Sequence, residues 1–263
     1  MLERIPVVVQ RGRRPGRVAL ARGLWATAEI TVTLGVVVLL LVVHQLWWTN
    51  RQAKEGAERQ VQALEREWGE TAAPEAGAGA ADVAPEADAG SSTAKPAQQD
   101  GGGRRSNRAA APRWDQAYAV LRIPRLGVVA PVAQGVAKRG VLDKGYVGHY
   151  PGTAQPGQAG NFAVAGHRNT HGEPFRYINR LRNGDRIVVE TRTGVFTYLV
   201  DKRLSQTSAR DGGVIAAVPR SAVKPGYGYS EPGYYVTLTT CTPEYTSKYR
   251  LVVWGKLTSM RPR

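Results

Sequence analysis

Residues 234–257, YYVTLTTCTPEYTSKYRLVVWGKL, contain two runs rich in β-branched and aromatic side chains, separated by a polar turn. Such runs are typical of β-strands, and the turn between them allows an antiparallel hairpin. If that hairpin forms, Cys241 and Arg250 lie at the same end of adjacent strands. The stretch therefore indicates a β-fold that presents a thiol beside a guanidinium group.

The segment 113–263 as a whole has the pattern of an all-β domain. Gly and Pro break it into short apolar runs, of which seven are predicted strands: Tyr118–Ile123, Val128–Val132, Asn161–Gly166, Asp185–Thr191, Val195–Leu204, Tyr234–Thr240 and Tyr249–Leu257. Seven or eight short strands in this length indicate a barrel or a sandwich. A helical turn is predicted at Glu173–Leu181, where apolar residues recur at spacings of three, and Ser205–Pro232 is predicted to be a long loop.

The charge of the chain is strongly basic. Its 263 residues include 36 Lys and Arg against 21 Asp and Glu, a net charge of +15. Such a charge is compatible with nucleic-acid binding, because neutralised phosphates dominate that affinity. The single cysteine excludes an intramolecular disulfide, a cysteine-rich zinc site and an iron–sulfur cluster.

Residues 25–48, WATAEITVTLGVVVLLLVVHQLWW, predict a transmembrane helix. As a helix this segment measures about 36 Å, enough to cross a bilayer. Its uninterrupted apolar core, Ile30–Val43, also fits a signal peptide or a buried helix. No small-residue cleavage site follows His44, and Trp47 and Trp48 lie where an aromatic belt is expected. These features favour an uncleaved anchor.

Six arginines precede the span, whereas Arg51 and Lys54 follow it, so the positive-inside rule places the N-terminus in the cytoplasm. The chain after the span is then extracellular at the cell membrane, where nucleic acid is not an expected partner. Anionic cell-wall polymers and lipid headgroups are plausible partners there. The predicted divisions are a basic tail (1–24), the anchor (25–48), a linker (49–112) and an extracellular domain (113–263).

The linker has two parts of different composition. Residues 51–70 are rich in helix formers with mixed charge, which predicts a solvated helix. Residues 71–112 are almost entirely Ala, Gly, Pro, Ser and charged residues, and such a segment cannot bury enough apolar surface to fold. It is predicted to be a disordered tether with a root-mean-square span of about 35 Å.

Cys241 is the candidate nucleophile. A lone cysteine is more often a small buried hydrophobe, but this one follows a predicted strand, has threonine neighbours and lies in a domain expected outside the cell. Arg250 would favour the thiolate and could donate two hydrogen bonds to a developing oxyanion. The alternative for Arg250 is a surface cation.

Four histidines are candidates for the acid/base partner. His44 lies in the predicted anchor and is excluded by compartment, whereas His149 and His171 lie in polar, turn-like segments. His167 ends the apolar run NFAVAGH, so it is expected at the mouth of a strand, as Cys241 is. Each of these residues could instead have a purely structural role, but the strand-end position favours His167.

These motifs resemble the sortase family. The resemblance is carried by TLTTC at 237–241, the following Arg250 and the upstream AGHR at 165–168, and it covers about residues 117–258. Segments 121–136, 145–172 and 237–257 are similar to class E sortases of high-GC Gram-positive bacteria. The resemblance implies an eight-stranded β-barrel with short helices.

The resemblance also implies an activity, that of a cysteine transpeptidase. Such an enzyme cuts a C-terminal sorting signal, here of LAxTG type, between Thr and Gly and joins the new carboxyl end to an amine of a peptidoglycan precursor. Cys241 would form the thioacyl intermediate and His167 would transfer protons. Arg250 would bind substrate and oxyanion, Thr240 would assist in substrate binding, and the loop 205–233 would border the groove. No cofactor is expected, and the protein is expected to be a monomer. No metal is expected either, because the nine acidic residues of the domain form no evident cluster.

Other assignments remain open at this level. Cell-wall L,D-transpeptidases carry Gly before the catalytic Cys, where this chain has Thr240, and papain-like enzymes place Cys before His in the chain. A non-enzymatic basic wall-binding module on a membrane tether explains the charge and the anchor. It does not explain the pairing of TLTTC with Arg250.

Overall fold

The computed structural model describes residues 15–72 and 112–263 of the chain. The chain divides into two compact units, Met1–Arg51 and Gln52–Arg263. The predicted tether, residues 71–112, lies outside the described residues except at its two ends.

A long helix, α1, spans Pro15–Ala72. The part Arg22–Glu70 is long and apolar enough to cross a membrane. The large apolar side chains between residues 25 and 48 are exposed. The predicted span is therefore helical, and the first fourteen residues of the predicted basic tail lie outside the described part.

The described part of the second unit contains eight strands that close into a barrel. They are β1 (Ala117–Ile123), β2 (Val128–Gln134), β3 (Val147–His149), β4 (Gly160–Ala165), β5 (Arg186–Thr191), β6 (Gly194–Ser208), β7 (Tyr234–Thr242) and β8 (Tyr249–Pro262). Their order around the barrel is β1-β2-β3-β4-β7-β8-β6-β5. The β2/β3 and β4/β7 pairs are parallel and the others antiparallel. The predicted all-β barrel is confirmed.

The barrel interior holds the main core, which includes Phe162, Leu121 and Val253. Three details differ from the sequence-based expectation. Strand β3 was not predicted because only three residues, VGH, form it; β6 continues four residues into the predicted loop; and the predicted helical turn is a 3₁₀ turn at Ile178–Arg180. Other 3₁₀ turns cover Pro124–Leu126, Leu142–Lys144 and Gly212–Ile215.

One face of α1 within the second unit packs against the barrel. Its buried residues recur every three or four positions: Ala53, Ala57, Val61, Leu64 and Trp68. Val61, Leu64 and Trp68 form a second core with barrel residues that include Val120 and Val141. The prediction of a fully solvated helix at 51–70 is therefore wrong, because an apolar stripe of helical period runs along a mostly polar segment.

Candidate active site

Cys241 and Arg250 face each other across the β7/β8 hairpin. The antiparallel register pairs Cys241 with Arg250 directly, so the predicted hairpin is confirmed. Arg250 Nη1 donates to the carbonyl oxygens of Ser247 (2.9 Å) and Tyr249 (3.0 Å) in the turn. These bonds engage one nitrogen of a group that has five N–H donors. The turn thus holds a guanidinium group next to the thiol-bearing strand.

His167 reaches the same end of the barrel from the other side of β7. Strand β4 runs parallel to β7, and Ala165 lies opposite Thr239. His167 and Cys241 each follow two residues later, so they lie at the same end of the two strands. The Gly166 N–H donates to the Thr239 carbonyl at 3.1 Å. A Cβ at Gly166 would lie only 2.7 Å from the Phe175 ring, so a residue larger than glycine would clash with that ring. The β4 and β7 chain ends are therefore fixed together.

His167 has a carboxylate partner that the sequence analysis missed. Asp143 Oδ1 lies 2.8 Å from His167 Nε2, and the same oxygen lies 3.8 Å from Nδ1 of His171. The two imidazole rings stack with centroids 5.3 Å apart. Asp143 belongs to the 3₁₀ turn Leu142–Lys144, 24 positions before His167, and no local motif marks it.

Arg168 is the second residue that the sequence analysis missed. Its side chain is only 7% exposed. Nη1 donates to the carbonyl oxygen of Cys241 at 3.2 Å and to Oγ1 of Thr242 at 2.9 Å, and Nη2 lies 3.4 Å from Glu244. Buried guanidinium groups need such partners, because an unpaired buried charge is costly. The guanidinium therefore ties the residue after His167 to the residues that follow the nucleophile.

Comparisons with known proteins identify the family of this chain. The Sortase domain family matches residues 121–258. Two curated proteins of Streptomyces coelicolor are similar: Sortase SrtE1, 42% identical with 96% of this chain and 62% of that protein covered, and Sortase SrtE2, 31% identical with 93% and 85% covered. The chain belongs to the sortase family.

A solved structure extends the likeness to three dimensions. The crystal structure of Sortase E1 from Streptomyces coelicolor with a tripeptide in the active site is 52% identical, with a TM-score of 0.54. The match covers 58% of this chain and 94% of that one. The resemblance to class E is confirmed, and sortases as a family are cysteine transpeptidases. This sortase spans 62% of the length of SrtE1.

Thr240 directly precedes Cys241 on β7 in this sortase. Its hydroxyl is buried and donates to the carbonyl oxygen of Gly166 at 2.8 Å. Successive side chains of a strand point to opposite faces, so Thr240 is directed away from the face of its neighbour Cys241. The Thr240 side chain therefore joins β7 to β4.

His149 lies on β3 opposite Val164 of β4 and is fully buried. Its Nδ1 lies 2.8 Å from the Tyr118 hydroxyl, and its Nε2 lies 3.1 Å from the carbonyl oxygen of Ala154. Burial lowers the pKa of His149 from 6.5 to about 4, although the bond to Ala154 opposes the shift. His149 is therefore a neutral structural residue. His44 lies in α1, in the other unit.

The β6–β7 connection is a well-anchored segment. The buried Asp211 carboxylate accepts hydrogen bonds from Thr207 and Ser221, each at 2.5 Å, and from the backbone N–H of Ala222 at 2.9 Å. Burial alone would raise the pKa of Asp211, but these hydrogen bonds outweigh it and leave the pKa lowered. Asp211 thus ties the start of the connection to its middle.

Proposed function

We propose that this protein is a membrane-anchored cysteine transpeptidase that acts on C-terminal sorting signals of LAxTG type. The observation that carries the proposal is the strand register. It sets His167, Cys241 and Arg250 at one end of three neighbouring strands, β4, β7 and β8. An acyl-transfer site needs a nucleophile, a proton carrier and an oxyanion donor in such proximity.

In the proposed reaction the Cys241 thiolate attacks the carbonyl carbon of the Thr–Gly bond. Arg250 donates hydrogen bonds to the oxyanion that develops. His167 gives its proton to the glycine nitrogen as the C–N bond breaks, which leaves a thioester on Cys241. An amine of a peptidoglycan precursor then loses a proton to His167, attacks the thioester and releases the thiolate.

Asp143 is proposed to position His167. An ionised carboxylate only accepts hydrogen bonds, so the 2.8 Å contact makes His167 Nε2 the donor. Nδ1 is then the nitrogen left to exchange protons with substrate. Thr240 is proposed to contribute indirectly, by aligning β7 with β4 through its bond to Gly166.

The proposed division of the chain keeps a cytoplasmic tail (1–24), a membrane span (25–48), a linker (49–112) and an extracellular catalytic domain (113–263). The apolar helix and the arginine excess before it support this topology. The proposed partners are sorting-signal peptides, the peptidoglycan precursor and the membrane, with the protein acting as a monomer.

The test is cleavage of a fluorogenic LAxTG-type peptide by the full chain, with and without an added amine. We expect a cleaved product joined to the amine, and we expect neither product from Cys241→Ala. In cells, a reporter that carries the signal should lose its wall attachment with Cys241→Ala. A reporter that stays attached would favour the non-enzymatic wall-binding module instead.

A further inference from the structure

Asp143, His167 and His171 together have the composition of a transition-metal site. Within the described residues 15–72 and 112–263 they are a group whose candidate ligand atoms all lie within 4.8 Å of one another. Two imidazoles and one carboxylate suit zinc, which commonly takes three protein ligands and leaves a fourth position for water. The acidic residues form no cluster along the chain, so the sequence alone predicts no metal site. The fold brings one of them to two histidines.

The distances are close to those that zinc requires. Ligand atoms around a tetrahedral zinc ion lie roughly 3.3 Å apart, given bonds of about 2.0 Å. Here Oδ1 of Asp143 lies 2.8 Å from Nε2 of His167 and 3.8 Å from Nδ1 of His171. These two distances lie within about 0.5 Å of that value, and the third, between the two histidine nitrogens, is at most 4.8 Å.

His171 gives a second, independent indication of a ligand. Its Nδ1 atom is buried yet has no hydrogen-bond partner, although the side chain is 35% exposed overall. A buried polar atom without a partner is costly, and an ion or a water molecule commonly explains it. The residue also has a left-handed backbone, with φ at 53°, which is uncommon outside glycine. The loop thus holds this nitrogen near Asp143 at a conformational cost.

We propose that Asp143, His167 and His171 form a reversible inhibitory site for Zn²⁺. Zinc on Nε2 of His167 takes the place of the proton that this nitrogen otherwise carries. A ring that holds the metal on one nitrogen cannot also carry protons on both, so it cannot alternate between imidazole and imidazolium. The inhibitory consequence rests on the proposed role of His167, whereas the metal binding does not.

The binding test uses the full chain in detergent micelles, freed of metal, with Zn²⁺ alone as the titrant in calorimetry. Because a thiolate also binds zinc, the measurement is made in the Cys241→Ala background. We expect one Zn²⁺ per chain with a micromolar dissociation constant. Asp143→Asn and His171→Asn should each weaken binding at least tenfold. Asparagine tolerates the left-handed backbone at position 171, so this variant removes the imidazole without adding strain.

His44→Ala is the matched control, because it removes a histidine that lies outside the cluster, and its binding should be unchanged. Co²⁺ provides a spectroscopic check: bound cobalt should give visible absorption without the near-ultraviolet thiolate band. Loss of binding in Cys241→Ala, or binding that survives in His171→Asn, would overturn the site.

The activity test compares each variant with itself, with and without Zn²⁺. Zinc should suppress peptide cleavage by the unmodified chain at the concentrations at which it binds, and a chelator should restore cleavage. His171→Asn should need at least tenfold more zinc for the same fractional inhibition. If zinc binds as expected but cleavage is unaffected, the inhibitory role is wrong. If no cleavage occurs without zinc, the proposed function fails while the binding result stands.

Discussion

The guanidinium group of Arg168 donates a hydrogen bond to the backbone carbonyl oxygen of Cys241 across 3.2 Å. The same nitrogen also donates a hydrogen bond to the Thr242 hydroxyl oxygen. One buried cation thus fixes the two residues Cys241 and Thr242 relative to Arg168. Because Arg168 follows His167 directly, the contact links the two chain ends that carry the thiol and the imidazole.

Replacement of Arg168 by Met should lower kcat for peptide cleavage at least tenfold and change KM less. The substitution leaves the Cys241 carbonyl and the Thr242 hydroxyl without their charged donor, a loss of about 1–3 kcal/mol in such contacts. Arg168→Lys should restore part of the rate. Arg203→Met is the control, since Arg203 also donates to backbone carbonyls but at an exposed position. A lower melting temperature with normal kcat would reduce Arg168 to a structural role.

Arg250→Lys should lose at least tenfold in kcat/KM although the charge is kept. A single ammonium cannot reproduce the two-pronged geometry of a guanidinium group at an oxyanion, and a tenfold loss corresponds to about 1.4 kcal/mol. Steady-state kinetics with the signal peptide measures it. Arg261→Lys, an exposed position near the far end of β8, serves as the control. If Arg250→Lys and Arg261→Lys had equal kcat/KM values, Arg250 would be a surface cation without a role in catalysis.

His167→Ala should abolish transpeptidation, and Asp143→Asn should retain a reduced rate. The productive form combines a thiolate with an imidazolium, so the rate of the unmodified enzyme should fall at both low and high pH. The pH profile of Asp143→Asn should differ in shape from that of the unmodified enzyme, because the imidazole loses its acceptor. An inactive His171→Ala beside an active His167→Ala would contradict the assignment of the proton carrier.

The free energy of unfolding should decrease as the pH falls from about 6.5 towards 4. His149 has its pKa lowered to about 4 in the folded protein, so over this range only the unfolded chain binds a proton there. The neutral His149 therefore contributes up to about 3 kcal/mol to the free energy of unfolding. This contribution is complete above pH 6.5 and is lost as the pH falls towards 4. Urea titrations across this range should show the slope, and His149→Gln should flatten it. An equal slope in both proteins would exclude His149 as its source.

Residues 52–263 should be more stable than residues 113–263. The shorter chain loses the helix that covers Val120 and Val141 and so exposes an apolar surface. We expect a melting temperature lower by several degrees and increased binding of a hydrophobic dye. Leu64→Asp in the longer chain should reproduce most of the effect, whereas Arg59→Asp on the exposed face should not. Identical melting curves for the two chains would show that the helix contributes nothing.

The sequence predicted those features that depend on local patterns. The hairpin that pairs Cys241 with Arg250 and the strand that leads to His167 follow from alternation, turn residues and chain position. Arg168 and Asp143 could not be predicted in the same way. Arg168 belongs to the AGHR motif, but nothing local indicates its bond to the distant Cys241 carbonyl oxygen. One aspartate in a turn, 24 positions before its histidine partner, has no local signature.

The helix at 51–70 shows a different limit of sequence reasoning. Its helix-forming residues of mixed charge correctly indicated a helix. Two of its five buried positions are alanines, Ala53 and Ala57, and alanine occurs as readily on a solvated helix face as on a buried one. Ala53, for example, lies against a glycine, since a Cβ added at Gly145 would come within 2.8 Å of the Ala53 carbonyl oxygen. Only the three-dimensional arrangement reveals it.

The parallel pairing of β4 with β7 has a consequence for the way the enzyme matures. The two strands are neighbours in space, yet about 70 residues separate His167 from Cys241 in the chain. Closing so long a loop has an entropic cost, and contacts of this range slow folding. Because synthesis runs from the N-terminus, the segment that carries His167 is made well before the segment that carries Cys241. Until β7 pairs with β4, the Cys241 thiol is not held beside the imidazole, so the proposed acyl transfer requires the completed barrel.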